Sequence, residues 1–228
     1  MSSLVQLNQE IVACARCPRL IEHCQKIARE KKRAWREWEY WGKPVPGFGD
    51  PNARVLILGL APGAHGSNRT GRPFTGDGSG NFLYRVLHKS GFASQPTATS
   101  ASDGMKLYDA YITAVARCAP PGNKPTTEEL RNCAPFLDRE LELLKNVKVV
   151  VLLGKIAFDG YLAYLRRGGV LNGRNGFKFG HGARYELPNG KKLLGSYHPS
   201  LQNTNTGKLT EAMLFKIFRE AARLACKS

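Results

Sequence analysis

Residues 55–60 read VLILGL, and the stretch that begins inside this run, from Gly59 to Gly80, reads GLAPGAHGSNRTGRPFTGDGSG. A short unbroken apolar run ending at glycine suits a strand buried on both faces, as in a parallel sheet, where no face is left for polar residues. The glycine-rich stretch leads into a helical segment, Gly80–Ser90, so the unit is strand, long loop, helix. Three more runs share this character: Tyr111–Ala116, Val147–Leu153 and Lys192–Tyr197. Helical segments are expected over Thr126–Lys145, Ile156–Arg166 and Leu209–Ala225. Thr126 or Thr127 ahead of Glu128 and Glu129 offers an N-terminal cap with acids that suit the helix dipole. Strand and helix alternate, which predicts an α/β fold with helices on both faces of a parallel sheet. Ligands of such sheets bind beyond the carboxyl ends of the strands. The unusual loops all follow strands: the Gly59–Gly80 stretch, ARCAPPGNKP from Ala116, LGK from Leu153 and SYHPSLQNTNTG from Ser196. They are expected to converge on one crevice.

The 228 residues suit one domain, 1–228, and 42% apolar with 23% charged residues allows a sizeable core. Lysine and arginine exceed aspartate and glutamate by 34 − 18 = 16. That excess is more than solubility needs and points to a polyanionic partner, nucleic acid first. No apolar run reaches the roughly 18 residues of a membrane span. The start, MSSLVQLNQE, has neither a basic nor a hydrophobic leader region, so a cytoplasmic setting without membrane attachment is expected. From Leu4 to Trp41 the chain is polar and helix-friendly, with Pro18 where a helix could start. Gly42 to Pro51 is a short connector. The basic runs at Arg29–Arg36 and Arg166-Arg167 read as solvated faces.

Six cysteines in a cytosolic chain are not expected to form disulfides. Cys14-x2-Cys17 and Cys118-x14-Cys133 supply two pairs of thiols. Four thiolates suit a [4Fe-4S] cluster or a structural zinc, and either would staple the N-terminal segment to the loop after the second strand. Scattered buried thiols are the alternative, less favoured because a proline follows Cys17, Cys118 and Cys133 within two residues. Cys24 and Cys226 lie outside the pattern and read as core filler.

The Gly59–Gly80 stretch contains neither GxxxxGK[ST] nor the dinucleotide fingerprint. It does carry Asn68, Arg69, Thr70, Arg72, Phe74, Thr75 and Asp77, an unusual density of possible ligand contacts. His198-Pro199-Ser200 ends the last strand, and a histidine held there by proline is well placed to touch a ligand.

GLAPGAHGSNRTGRPFTGD, the paired cysteines and HPSLQNTNTGKLT together resemble the uracil-DNA glycosylase superfamily, specifically its fifth or B-type family, over Cys14 to Leu209. The resemblance implies three α/β/α layers around a central four-stranded parallel sheet, a [4Fe-4S] cluster on Cys14, Cys17, Cys118 and Cys133, and removal of deaminated or damaged bases from DNA. The fourth, iron–sulfur family has GEAPG where this chain has Leu60, and other families have Asp or Asn where it has Ala61. Neither Leu60 nor Ala61 can orient a water. The fourth family also has an Asn in ITNVVKC, where ITAVARC here places Ala114. Losing that amide removes a discriminating pair of hydrogen bonds and implies a less selective base pocket.

Base excision needs a flipped base, a stabilised leaving anion and a water for the sugar cation. Phe74 has a flat face to stack on the base, and His198 can donate a hydrogen bond to a base carbonyl where charge develops. Asp77 is the remaining carboxylate able to position water, although TGDGSG also suits a helix N-cap. Asn123 and Asn203 are further candidates for base or water contacts, with Gly63 and Ala114 bordering the base. Ser200, Leu201, Gln202, Arg69 and Arg72 are the expected DNA contacts, with Leu201 a wedge for the vacated gap. No lysine is placed for a Schiff base, so no lyase step is expected. The resemblance implies a monofunctional glycosylase acting on damaged DNA that contains uracil or related deaminated bases, in a prokaryotic, nucleoid-associated setting, and a monomer is expected. No contact with a replication clamp is read from these residues. The alternatives are a strict uracil glycosylase of the fourth type, and a non-enzymatic iron–sulfur module that binds nucleic acid or senses redox state.

Overall fold

The computed structural model describes residues 3–172 and 176–226. Helices α1 (Leu4–Val12) and α2 (Pro18–Glu30) precede a two-residue strand β1 (Phe48–Gly49). Then come β2 (Val55–Gly59), a short helix α3 (Ser67–Thr70), α4 (Gly78–Lys89) and β3 (Ala110–Ala114). After α5 (Thr127–Leu143) follow β4 (Val149–Leu153), α6 (Lys155–Arg167), β5 (Arg184–Glu186) and β6 (Lys192–Ser196). Helices α7 (Leu201–Asn205) and α8 (Glu211–Cys226) close the described chain.

The four expected strands form the parallel centre of the sheet, in the order β3-β2-β4-β6. The sheet is larger than the sequence suggests: β1 and β5 add short antiparallel edges, making six strands. Both edge strands escape the sequence reading because they are too short for any hydrophobic period to show. Strands β2 and β4 are apolar throughout because each face has its own helical layer, whereas β3 carries Thr113 and β6 carries Lys192 and Ser196. Val55 and Ile57 of β2, with Val149, Val151 and Leu153 of β4, pack with residues of α4 and α8. Leu56, Leu58, Val150 and Leu152 point the other way, toward α5 and α6. This alternation gives the expected three layers.

Thr126 caps α5 as expected, its side chain accepting from Glu129 N at 3.2 Å while the Glu129 carboxylate accepts from Thr126 N at 2.7 Å. Replacing such a cap by alanine costs about 1 kcal/mol. We therefore expect Thr126→Ala to melt a few degrees lower with base release unchanged at low temperature; an unchanged melting curve would show that Arg19, bound to Glu129 at 2.7 Å, holds the helix end by itself. Pro18 opens α2 as expected. No described helix is long and apolar enough to cross a membrane.

Candidate active site

Pairing of Gly59 with Ala114 and of Leu153 with Ser196 brings the carboxyl ends of the central strands to one edge. The loops after β2, β3 and β6 surround a pocket there of about 400 Å³. Phe74, Asp77 and His198 all reach it, as do Gly63, Ala114, Asn123, Ser200 and Gln202. Residues from three separate loops thus share one cavity.

Phe74 sits at φ 49°, a left-handed conformation that costs a non-glycine residue strain. Its ring lies against Gly59, where a β-carbon would come within 3.0 Å of it, so the strand must end in glycine for the ring to lie there. The His198 ring is 5.7 Å away, centroid to centroid, and tilted by 32°. Burial alone acts on His198 and lowers its pKa to about 4. Its imidazole is therefore neutral at physiological pH and carries one N–H to donate. The Asn203 side chain bonds the His198 carbonyl at 2.8 Å, so Asn203 fixes the histidine's backbone instead of lining the pocket.

Asp77 caps a helix and also reaches the pocket. One carboxylate oxygen caps α4, accepting from Gly80 N at 2.8 Å. The other lies over the loop, where a β-carbon on Gly63 would approach it to 2.8 Å. Burial raises the Asp77 pKa above the ordinary carboxylate value, opposed by the N–H groups of Gly80 and Ser79 and by the charge of Arg69. Leu60 and Ala61, which carry no group to hold water, also line the cavity.

The outer rim comes from β6 onward. Ser200 caps α7, accepting from Asn203 N at 3.3 Å, and Leu201 follows, 56% exposed. Asn123, at φ 58° in the loop after β3, is exposed on the opposite rim. Val45 and Pro46 complete the wall; nothing in the connector's composition marks them as site residues.

Three sequence expectations need correction. Arg69 and Arg72 are only 3% and 4% exposed and cannot serve as DNA contacts. Arg72 makes a two-pronged ion pair with Asp103 at 2.8 and 2.7 Å and bonds Thr75. Arg69 bonds the carbonyls of His65 and Gly76 at 2.9 and 2.6 Å. Both arginines hold the loop's shape from beneath. Second, the [4Fe-4S] expectation is overturned. Cys14, Cys17, Cys118 and Cys133 line one cavity, but its volume is about 10 Å³, which is room for about one water molecule. Among the described residues no group of three or more His, Cys, Asp or Glu is set to hold a metal ion. The expectation of an iron–sulfur protein falls with it. Third, Cys24 is buried core as expected, whereas Cys226 is exposed near the end of α8.

Residues 46–222 match the family described as the Uracil DNA glycosylase superfamily. The chain belongs to that superfamily, and it is a monofunctional DNA glycosylase, a hydrolase of N-glycosyl bonds. It is 53% identical over 217 residues to the type-5 uracil-DNA glycosylase of Thermus thermophilus, covering 95% of this chain and 96% of that one. It is 48% identical over 224 residues to the type-5 enzyme of Mycobacterium bovis, covering 98% and 82%. To a type-4 uracil-DNA glycosylase of Sulfurisphaera tokodaii it is 28% identical over 156 residues, covering 68% and 56%.

Proposed function

We propose that this chain is a type-5 enzyme that removes uracil and a range of other deaminated or damaged bases from DNA, starting their repair. The convergence of Phe74, His198 and Asp77 on one pocket carries this reading. Similarity across nearly the whole length to type-5 uracil-DNA glycosylases supports the uracil part. The breadth rests on the pocket wall, where Leu60, Ala61 and Ala114 offer no polar group to reject a misshapen base.

The extruded base stacks on Phe74 and receives a hydrogen bond from neutral His198 at the carbonyl where negative charge gathers. As the bond from C1′ to the base nitrogen breaks, its electron pair leaves with the base. The free oxygen of Asp77 faces the cationic sugar and orients a water. That water's oxygen bonds to C1′, its proton passes by way of Asp77, and the departing base anion is protonated by solvent. Ser200 and Gln202 meet the backbone phosphates, and Leu201 fills the space that the base vacates.

A panel of duplexes carrying uracil, hypoxanthine, xanthine or an etheno pyrimidine tests the breadth. Release of several of these bases is expected, and Ala114→Asn should keep uracil release while cutting the others by about tenfold or more. Uracil release alone by the unaltered chain would reduce the reading to a strict uracil enzyme. The net charge of +16 predicts that affinity for undamaged DNA falls steeply and linearly with the logarithm of salt concentration, with a similar slope for different sequences. A flat response between low and moderate salt would detach the basic surface from DNA binding.

A further inference from the structure

Trp35 and Trp38 are three residues apart in a strap that crosses above α3. Trp41 N and Gly42 N pin this strap by bonds to the carbonyls of Arg69 and Asn68 at 2.9 and 3.0 Å. The Arg69 guanidinium lies 4.4 Å from the Trp35 ring centroid and 4.1 Å from that of Trp38. Two cation–π contacts thus hold a buried charge that two backbone carbonyls share. One of those carbonyls belongs to Gly76, directly before Asp77. One terminal nitrogen of Arg69, Nη1, is buried without a partner, so its bonds do not exhaust what the guanidinium can do. A cation in so dry a setting acts over a longer range than one in water.

We propose that Arg69 is a positioning residue for Asp77, fixing through its bond to the Gly76 carbonyl the turn that aims the carboxylate into the pocket. This rests on the reading of Asp77 given above. The groups facing Asp77 are Arg69 on α3, the N–H groups of Gly80 and Ser79 at the start of α4, and His198 across the pocket. Around Arg69 stand Tyr40, which bonds His65 Nδ1 at 3.1 Å, and Lys32, whose charge acts on His65. Arg69 is the cation that acts on Asp77 in this arrangement.

The test is the pH profile of single-turnover uracil release by the full chain, with melting and DNA affinity measured on the same preparations. Arg69→Gln removes the charge, so protonation of Asp77 becomes easier. The acid limb is expected to move up by roughly one pH unit, with the plateau about tenfold lower. Arg69→Lys should return the limb close to its original position while leaving the plateau reduced, because an ammonium cannot bridge both carbonyls. A folded Arg69→Gln protein with an unmoved limb overturns the proposal. Should Arg69→Gln fail to fold, Trp38→Leu replaces it: water then reaches the cation and weakens its field, so the limb moves the same way by less, and an unmoved limb again overturns the proposal. Asp77→Asn is run alongside. If it turns over normally, the Asp77 reading itself fails; if it is slow and has no acid limb while Arg69→Gln leaves the limb in place, this inference alone fails.

Discussion

Asp77→Asn should slow base release on the order of 10² to 10⁴-fold, the range for loss of a positioned proton acceptor, while DNA affinity changes little. In the proposed mechanism the carboxylate faces charge that exists only in the transition state, so its removal is expected in turnover and not in binding. The same substitution should barely move the melting temperature. Asparagine caps helices as well as aspartate does, and its carbonyl oxygen can still accept from Gly80 N, which Asp77 now does at 2.8 Å. Because burial raises the pKa of Asp77, activity that needs the carboxylate falls as pH drops through a value above the ordinary aspartate range. In the asparagine variant that fall is absent. A variant that melts several degrees lower yet turns over normally would make Asp77 a cap only. His198→Ala should hurt most with poor leaving groups, since it removes the donor proposed to stabilise the departing base.

Glu140→Ala should destabilise the fold by roughly 3–5 kcal/mol, the cost of stranding a buried charge. Arg117 and Glu140 are 2% and 0% exposed, and their ion pair spans 2.6 Å. Thr113 donates to the same carboxylate at 2.6 Å and Tyr111 at 3.3 Å. For a domain of this size the loss corresponds to a melting temperature lower by roughly 6–20 °C. The effect should reach the pocket as well. Thr113 precedes Ala114, and the Arg117 carbonyl accepts from Val45 N at 2.7 Å, which holds the pocket wall formed by Val45 and Pro46. A melting change below about 2 °C would show that water enters and solvates Arg117.

The pattern of buried strands was legible because VLILGL and its three counterparts are short and mostly apolar on both faces, as suits a sheet covered on both sides. The place of Phe74 and His198 at the pocket was legible because an aromatic ring in a glycine-rich loop and a histidine at a strand end both sit beyond the carboxyl ends of the strands. The arginines of the same loop were not. From sequence, Arg69 and Arg72 look like a DNA-binding pair, and only the placement of Trp35, Trp38 and Asp103 shows their charges turned inward. The Arg117–Glu140 pair was equally hidden, since 23 residues separate two side chains that either surface or core could hold. The paired cysteines carried a spacing signal, yet spacing fixes the loops that thiols occupy and not the room between them.

The most direct measurement is the fate of a duplex with a single uracil, incubated with the purified chain and then analysed with and without alkali. Free uracil should appear in step with alkali-sensitive abasic sites, and the strand should remain whole until alkali is added. Intact uracil in the duplex after long incubation at low salt, or strand cleavage without alkali, would contradict a hydrolytic glycosylase built on Phe74, Asp77 and His198.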